Sequence, residues 1–310
     1  MYDVVIVGGS IAGLSAGLVL GRSRRTVLIV DGGRPRNAPS HAVHSYFSRD
    51  GIDPAELLTI GREQLKPYGS VEFRHGRAVS ARRDGAAFEI RLADGALVSG
   101  RRLLITTGVT DLLPPISGLR EMWGRGVFHC PYCHGWEVRD EPIAVCANGE
   151  AAVPFAALVH NWSRDLVLLT NGPANLSDDD DAKLSALSIP VREEPLASLE
   201  PSPGGGLDIH FEGNQSLPLT GMFMRVPQKP NSDLAVALGC QLVNDGMIPG
   251  LIRIDADGQT TVPGVYAAGD ITTLMQQAIF AAAAGANAAA RINHVLVEES
   301  VAELALPAHR

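Results

Sequence analysis

The chain has 310 residues, 45% hydrophobic and 19% charged, the make-up of a folded protein long enough for two domains and not of a disordered one. A net charge of −8 argues against a nucleic-acid partner, because phosphate binding needs clustered Lys and Arg. Of the four cysteines only Cys130 and Cys133 are closely spaced, which excludes a structural disulfide framework.

In chain order, "DVVIV" is an apolar run of strand length, suited to a strand buried on both faces. "GGSIAG" follows, then "LSAGLVLGRS" with helical spacing, then a second apolar strand, "TVLIV", that ends at Asp31. This is a β-α-β unit with glycines in its first turn. "FEIRLADGALVSGRRLLITTG" reads as a hairpin turning at Asp94-Gly95 and leading into another buried strand. The pair Pro114-Pro115 reads as a linker. A second β-α-β unit follows: strand "PIAVCA", helix "EAAVPFAALVHNW", strand "DLVLLT". The acidic run in "SDDDDAKLSAL" suits the start of a short helix, where negative charge is favoured. "PSPGGG" reads as a loop. From about Met224 the pattern returns through "QKPNSDLAVALGC" to "TTVPGVYAAGDI" and an Ala-rich helix, so the second unit looks inserted into the first. The early strand leaves no room for a signal peptide, and "AIFAAAAGANAAARI" is too short to span a bilayer. The expectation is a soluble cytoplasmic protein without a membrane partner.

Two places carry chemistry. The first is the turn Gly8-Gly9-Ser10-Ile11-Ala12-Gly13. A glycine turn between strand and helix lets a pyrophosphate approach the backbone at the positive end of the helix. Gly8 and Gly13 fill the outer positions and Ser10 replaces the middle glycine. Asp31 ends the second strand, where a carboxylate can hold ribose hydroxyls. An ordinary tight βα turn would look much the same. The second place is "HCPYCH" at 129–134. Cys-x-x-Cys at a helix start suits a redox disulfide, since the helix terminus and nearby cations raise the thiolate fraction. A zinc site would need two further ligands, and Cys146 and Cys240 are poorly placed to supply them.

The glycine turn, "ITTG" at 105–108 and the late apolar run ending in Gly269-Asp270, together with Cys-x-x-Cys in the inserted unit, resemble the low-molecular-weight thioredoxin reductases over nearly the whole chain. The resemblance implies an α/β fold with two Rossmann-like dinucleotide-binding domains, the second inserted into the first. Residues 1–115 and 226–310 would bind FAD, and 116–225 would form a redox domain with the nicotinamide-domain fold. It places Asp270 at the ribityl or phosphate part of FAD. Gln277 and Ala278 would approach the flavin ring, and Arg36, Asn37 and His44 would line it. Thr107, Gly108 and Val79 join the cofactor contacts. A homodimer is also implied.

Two departures narrow the reading. The inserted unit has Gly149 as its only turn glycine, and "TNGPAN" after its second strand holds no Arg or Lys for a 2′-phosphate. His134 stands where the reductases commonly carry an acid, and a histidine suits proton removal from thiols. In both features "CPYCHGWE" is similar to the gliotoxin- and holomycin-type dithiol oxidases. The expected activity is FAD-dependent oxidation of a small-molecule dithiol through Cys130 and Cys133, with His134 or His129 as base and oxygen as acceptor. The alternatives are a disulfide reductase fed by NAD(P)H or ferredoxin and serving a thioredoxin-like protein, and a non-catalytic flavin sensor.

Overall fold

The computed structural model describes residues 1–245 and 248–305. The chain opens with strand β1 (Tyr2–Val7), helix α1 (Ile11–Arg22) and β2 (Val27–Asp31), then α2 (Pro54–Leu65), β3 (Val71–His75), β4 (Ala78–Asp84), β5 (Ala87–Leu92) and β6 (Leu97–Ile105). After β7 (Val109–Asp111) come α3 (Leu119–Met122), β8 (Val127–Phe128), α4 (Pro131–His134), β9 (Ile143–Cys146), α5 (Ala152–Val159) and β10 (Leu166–Leu169). Helix α6 (Asp178–Ala186) leads to β11 (Val191–Arg192), β12 (Leu196–Pro201), β13 (Leu207–Phe211), β14 (Ser216–Leu219) and β15 (Gly221–Met224). The last elements are β16 (Gln228–Pro230), α7 (Leu234–Ala237), β17 (Leu242–Val243), β18 (Leu251–Ile252), β19 (Val265–Ala267) and α8 (Ala278–Ala305).

Contacts divide the chain into two units. The first comprises 1–38, 54–110 and 228–310. The second comprises 111–227 together with 39–53, a loop that the sequence pattern had left with the first.

In the first unit, β3, β2, β1 and β6 pair in parallel and β19 joins β6, also in parallel. β5 and β4 extend from β6 as antiparallel strands. The central strands β1 and β2 are buried on both faces, which is why they read as unbroken apolar runs. Val5 and Val7 enter one core with Leu103, Ile105 and Val265, while Val4 and Ile6 enter the other with Leu104, Tyr266 and Ile292. The second core is closed by α1 and α8.

The second unit repeats this plan on a smaller scale. β11, β10, β9, β15 and β8 form a parallel sheet, and β12, β13 and β14 an antiparallel one. β9 again divides its residues, with Ala144 and Cys146 on one side and Ile143 and Val145 on the other. The acidic run starts α6 through a capping box: Ser177 Oγ accepts from the Asp180 amide, and the Asp180 carboxylate accepts from the Ser177 amide. Among the described residues no helix is long and apolar enough to cross a membrane.

Candidate active site

The glycine turn sits at the carboxyl end of β1, between β2 and β6. Two of its glycines are steric necessities. A Cβ on Gly8, whose φ is +110°, would lie 2.3 Å from the Thr106 carbonyl oxygen. A Cβ on Gly13 would lie 1.9 Å from the Gly8 carbonyl oxygen. Thr106 locks the turn from the β6 side by donating its hydroxyl to Gly8 O at 2.6 Å. Ser10 is the N-cap of α1 but its side chain caps no amide of this twelve-residue helix, whose positive end suits an anion. Asp31 accepts from the Gly9 amide at 3.0 Å and the Gly33 amide at 3.2 Å, with Arg62 at 3.7 Å. Its carboxylate is thereby held at the mouth of the turn. Val79 lies on β4 at a break in register, exposed, three residues beyond Gly76, whose amide donates to Asp31 O.

The late motif reaches the same unit through β19. Asp270 pairs with Arg36 at 3.1 Å, and the Arg36 guanidinium also donates to Gln276 Oε1 at 2.7 Å. Gln276 in turn donates to Gln228 Oε1 at 2.8 Å. Sequence reasoning named Arg36, Asp270, Gln277 and Ala278, the last two at the start of α8, but missed Gln276 and Gln228. The Gln276-Gln277 dipeptide was the available signal. Asn37 is half-buried in the turn beside Arg36. Next to Gly108, Thr107 buries a hydroxyl with no hydrogen-bond partner among the described residues, an orphan that a ligand would satisfy.

Cys130 and Cys133 form a disulfide across the start of α4. Cys130 is the N-cap and Pro131 fills the first helical position, where its missing N–H costs nothing. The helix is a single turn, 131–134, so its dipole is small and the environment of the thiols depends on neighbouring side chains. His134 stacks on Phe128 with ring centroids 4.4 Å apart. Its Nε2 lies 3.0 Å from Ser40 Oγ, and its Nδ1 is buried without a partner among the described residues. Burial, helped by His44 and His41, pushes His134 down to about 4, so the ring is neutral at physiological pH. His129 stacks instead on Trp123, at 6.3 Å. His44, expected along the flavin, belongs to the second unit: its ring meets that of His134 edge-on at 6.4 Å, and Glu137 and Asp50 lie 3.4 and 3.7 Å from its nitrogens. The loop that carries it is closed by a Val43–Ile52 bridge, a tertiary event with no sequence period. The other cysteines are inert; burial pushes Cys146 up to about 12, and Cys240 is buried against Thr260.

The description "Pyridine nucleotide-disulphide oxidoreductase" matches residues 2–285. The chain is a member of that family. Thioredoxin reductase sirT from Leptosphaeria maculans is 28% identical over 94% of this chain and 94% of its own, and thioredoxin reductase tcpT from Claviceps purpurea is 30% identical over 87% and 86%. Among solved structures, HlmI is 39% identical with a TM-score of 0.91, covering 97% of this chain and 94% of its own. An oxidoreductase from Agrobacterium tumefaciens is 33% identical with a TM-score of 0.90, covering 96% and 99%. The protein is thus a disulfide oxidoreductase of the thioredoxin reductase type, a group of flavoproteins.

In the second unit of this pyridine nucleotide-disulphide oxidoreductase, one side chain organises the turn after β9. At the turn after β9, Asn148 Oδ1 accepts from the Gly149 and Asn175 amides, each at 2.8 Å. Its Nδ2 donates to the Thr170 and Pro173 carbonyls at 3.2 and 3.0 Å. One side chain thus ties the turn after β9 to the loop after β10. The first Arg after that loop, Arg192, is committed to Glu194 and Gln215 and stacks on Phe211.

Proposed function

We propose that this flavoprotein oxidises a small-molecule dithiol to its disulfide, with oxygen as the final acceptor. The observation that carries the direction is the Asn148 side chain, whose amide oxygen takes the Gly149 and Asn175 amides at the turn after β9. A reductase would draw its electrons from a nicotinamide cofactor or from a protein donor such as ferredoxin, and the first is disfavoured because the Gly149 amide is taken by Asn148 and Arg192 is paired with Glu194 and Gln215. In the oxidase reading electrons enter from the substrate.

FAD fits the first unit. Gly8, Gly9, Ser10, Ile11, Ala12 and Gly13 form a turn whose glycines admit no side chain and whose helix start would receive its pyrophosphate, and Asp31 offers a carboxylate for ribose. Asp270, held by Arg36 and Gln276, and the orphan hydroxyl of Thr107 supply further polar contacts. Bound FAD would supply the two-electron sink for the reduced cysteine pair and deliver the electrons to oxygen. The protein's own steps are thiol exchange. A substrate thiolate attacks Cys130 Sγ, and Cys133 leaves as a thiolate. The second substrate thiolate attacks the substrate sulfur of that mixed disulfide, closing the product ring and releasing the Cys130 thiolate. His134 Nδ1, which has no hydrogen-bond partner among the described residues, takes the first substrate proton. His129, held against Trp123, is the weaker choice.

A second reading, a disulfide reductase with a thioredoxin-like partner, is favoured by the names of sirT and tcpT. Anaerobic mixing of the flavin-loaded protein with NADPH, NADH or dithiothreitol separates the two. The dithiol should bleach the flavin and micromolar NADPH should not. Fast bleaching by NADPH would sink the oxidase reading.

A further inference from the structure

We propose that Ser40 is a positioning residue that fixes the tautomer of His134, leaving Nδ1 as the nitrogen that receives the thiol proton; this rests on the reading of His134 as the base. A serine hydroxyl has one proton to donate. Ser40 gives it to the Ala42 carbonyl oxygen at 2.8 Å, a bond that can run only that way. The 3.0 Å contact between Ser40 Oγ and His134 Nε2 must then draw its hydrogen from the ring. In a neutral imidazole with Nε2 protonated, Nδ1 carries the lone pair. That nitrogen is the buried one with no partner among the described residues.

The ring has little freedom to choose otherwise. Phe128 stacks on it at 13° and sets its plane. Ser40 is itself held: a Cβ on Gly124 would come within 3.3 Å of Pro39 and of the Ser40 amide, so this stretch of loop lies tight on that turn. The titratable groups facing His134 are His44, edge-on, and His41, whose charges both oppose its protonation; Glu137 and Asp50 flank His44; Cys133 precedes it on α4. When a substrate S–H proton reaches Nδ1, the substrate sulfur's electron pair forms the new bond to Cys130 Sγ. The Cys130–Cys133 bonding pair departs on Cys133. The imidazolium keeps its Nε2–H on Ser40, so no hydrogen bond is broken during the transfer. The opposite tautomer would set two lone pairs against each other at 3.0 Å.

The test is nitrogen NMR of the flavin-loaded, histidine-labelled protein, with His134 assigned by its loss in His134→Gln. Wild type should show a protonated Nε2 and an unprotonated Nδ1 at pH 7. Ser40→Ala should give a mixture of tautomers and slow flavin bleaching by dithiothreitol about tenfold at neutral pH, with the deficit shrinking as the dithiol ionises unaided. Ser40→Thr, which keeps the hydroxyl, should restore both signals. A protonated Nδ1 in wild type overturns the assignment. A Ser40→Ala deficit that is equal at every pH and unrelieved by threonine also overturns it, because that is loss of packing. If wild type shows the Nε2–H tautomer but His134→Ala bleaches within about twofold of wild type, the assignment stands and the base reading of the proposed function falls.

Discussion

Gly285 lies where α8 crosses α1, and a Cβ there would stand 2.0 Å from the Ala12 carbonyl oxygen. An ordinary carbon–oxygen contact is about 3.3 Å or longer, so Gly285→Ala demands roughly 1.3 Å of separation between two helix backbones. Two effects oppose each other. Alanine is the better helix former, by about 1 kcal/mol. Overpacking typically costs about 1–3 kcal/mol, and the upper end applies because the clash is with backbone, which no rotamer change relieves. The net expectation is a loss near 2 kcal/mol, or roughly 4–8 °C in Tm. The damage should reach the cofactor too, since Ala12 belongs to the glycine turn and Gly269 closes on it from the other side, its own Cβ position 3.1 Å from Ala12 Cβ. Differential scanning calorimetry with and without FAD, beside a flavin titration, measures both. Ala283→Gly, at an exposed position of the same helix, calibrates the propensity term alone. A Gly285→Ala protein as stable as wild type, with unchanged flavin affinity, would refute the close crossing.

Arg36→Ala removes the cation that holds Asp270 and Gln276, and flavin affinity by fluorescence titration should fall about tenfold; an unchanged Kd would detach this network from the cofactor. Cys130→Ser, retaining Cys133, should show a long-wavelength thiolate–flavin charge-transfer band that Cys133→Ser lacks, and the reverse pattern would exchange the two cysteine roles. His134 should make the fold acid-sensitive. Its ordinary value of 6.5 is lowered to about 4 by burial, so the unfolded chain binds a proton in this range that the folded chain refuses. The associated stability is complete above pH 6.5 and is lost as pH falls through about 4, to a limit of roughly 3 kcal/mol. Denaturant melts of wild type and His134→Phe between pH 7 and 4.5 should diverge on the acid side, and parallel curves would contradict the burial argument.

What the sequence made legible was local or periodic. "DVVIV" and "PIAVCA" read correctly as buried strands because both faces of each are covered, and Asp94-Gly95 marked its hairpin through turn chemistry. The paired cysteines and the glycine turn were visible because each is a short motif with a fixed spacing. The missed parts depend on distant residues. Ser40 meets His134 across 94 positions, Gln228 meets Gln276 across 48, and no pattern within either segment encodes the meeting. His44 was assigned by its place between two motifs, and its membership of the second unit comes from loop 39–53, whose packing no local pattern encodes. The four hydrogen bonds of Asn148 join the turn after β9 to residues 170–175, and nothing local marks that residue for the role.

The first unit is assembled from three separated stretches, and this has a consequence during synthesis. All of the second unit has left the peptidyl-transferase centre by residue 227, while β19 and α8, which complete the flavin-binding sheet, are still to be made. Until β19 and α8 are made the first unit is incomplete, while the nascent chain already carries the Cys130–Cys133 thiol pair. Its redox state is then set by the surrounding thiol pool, and the first turnover of each new molecule begins from whichever state that pool has imposed.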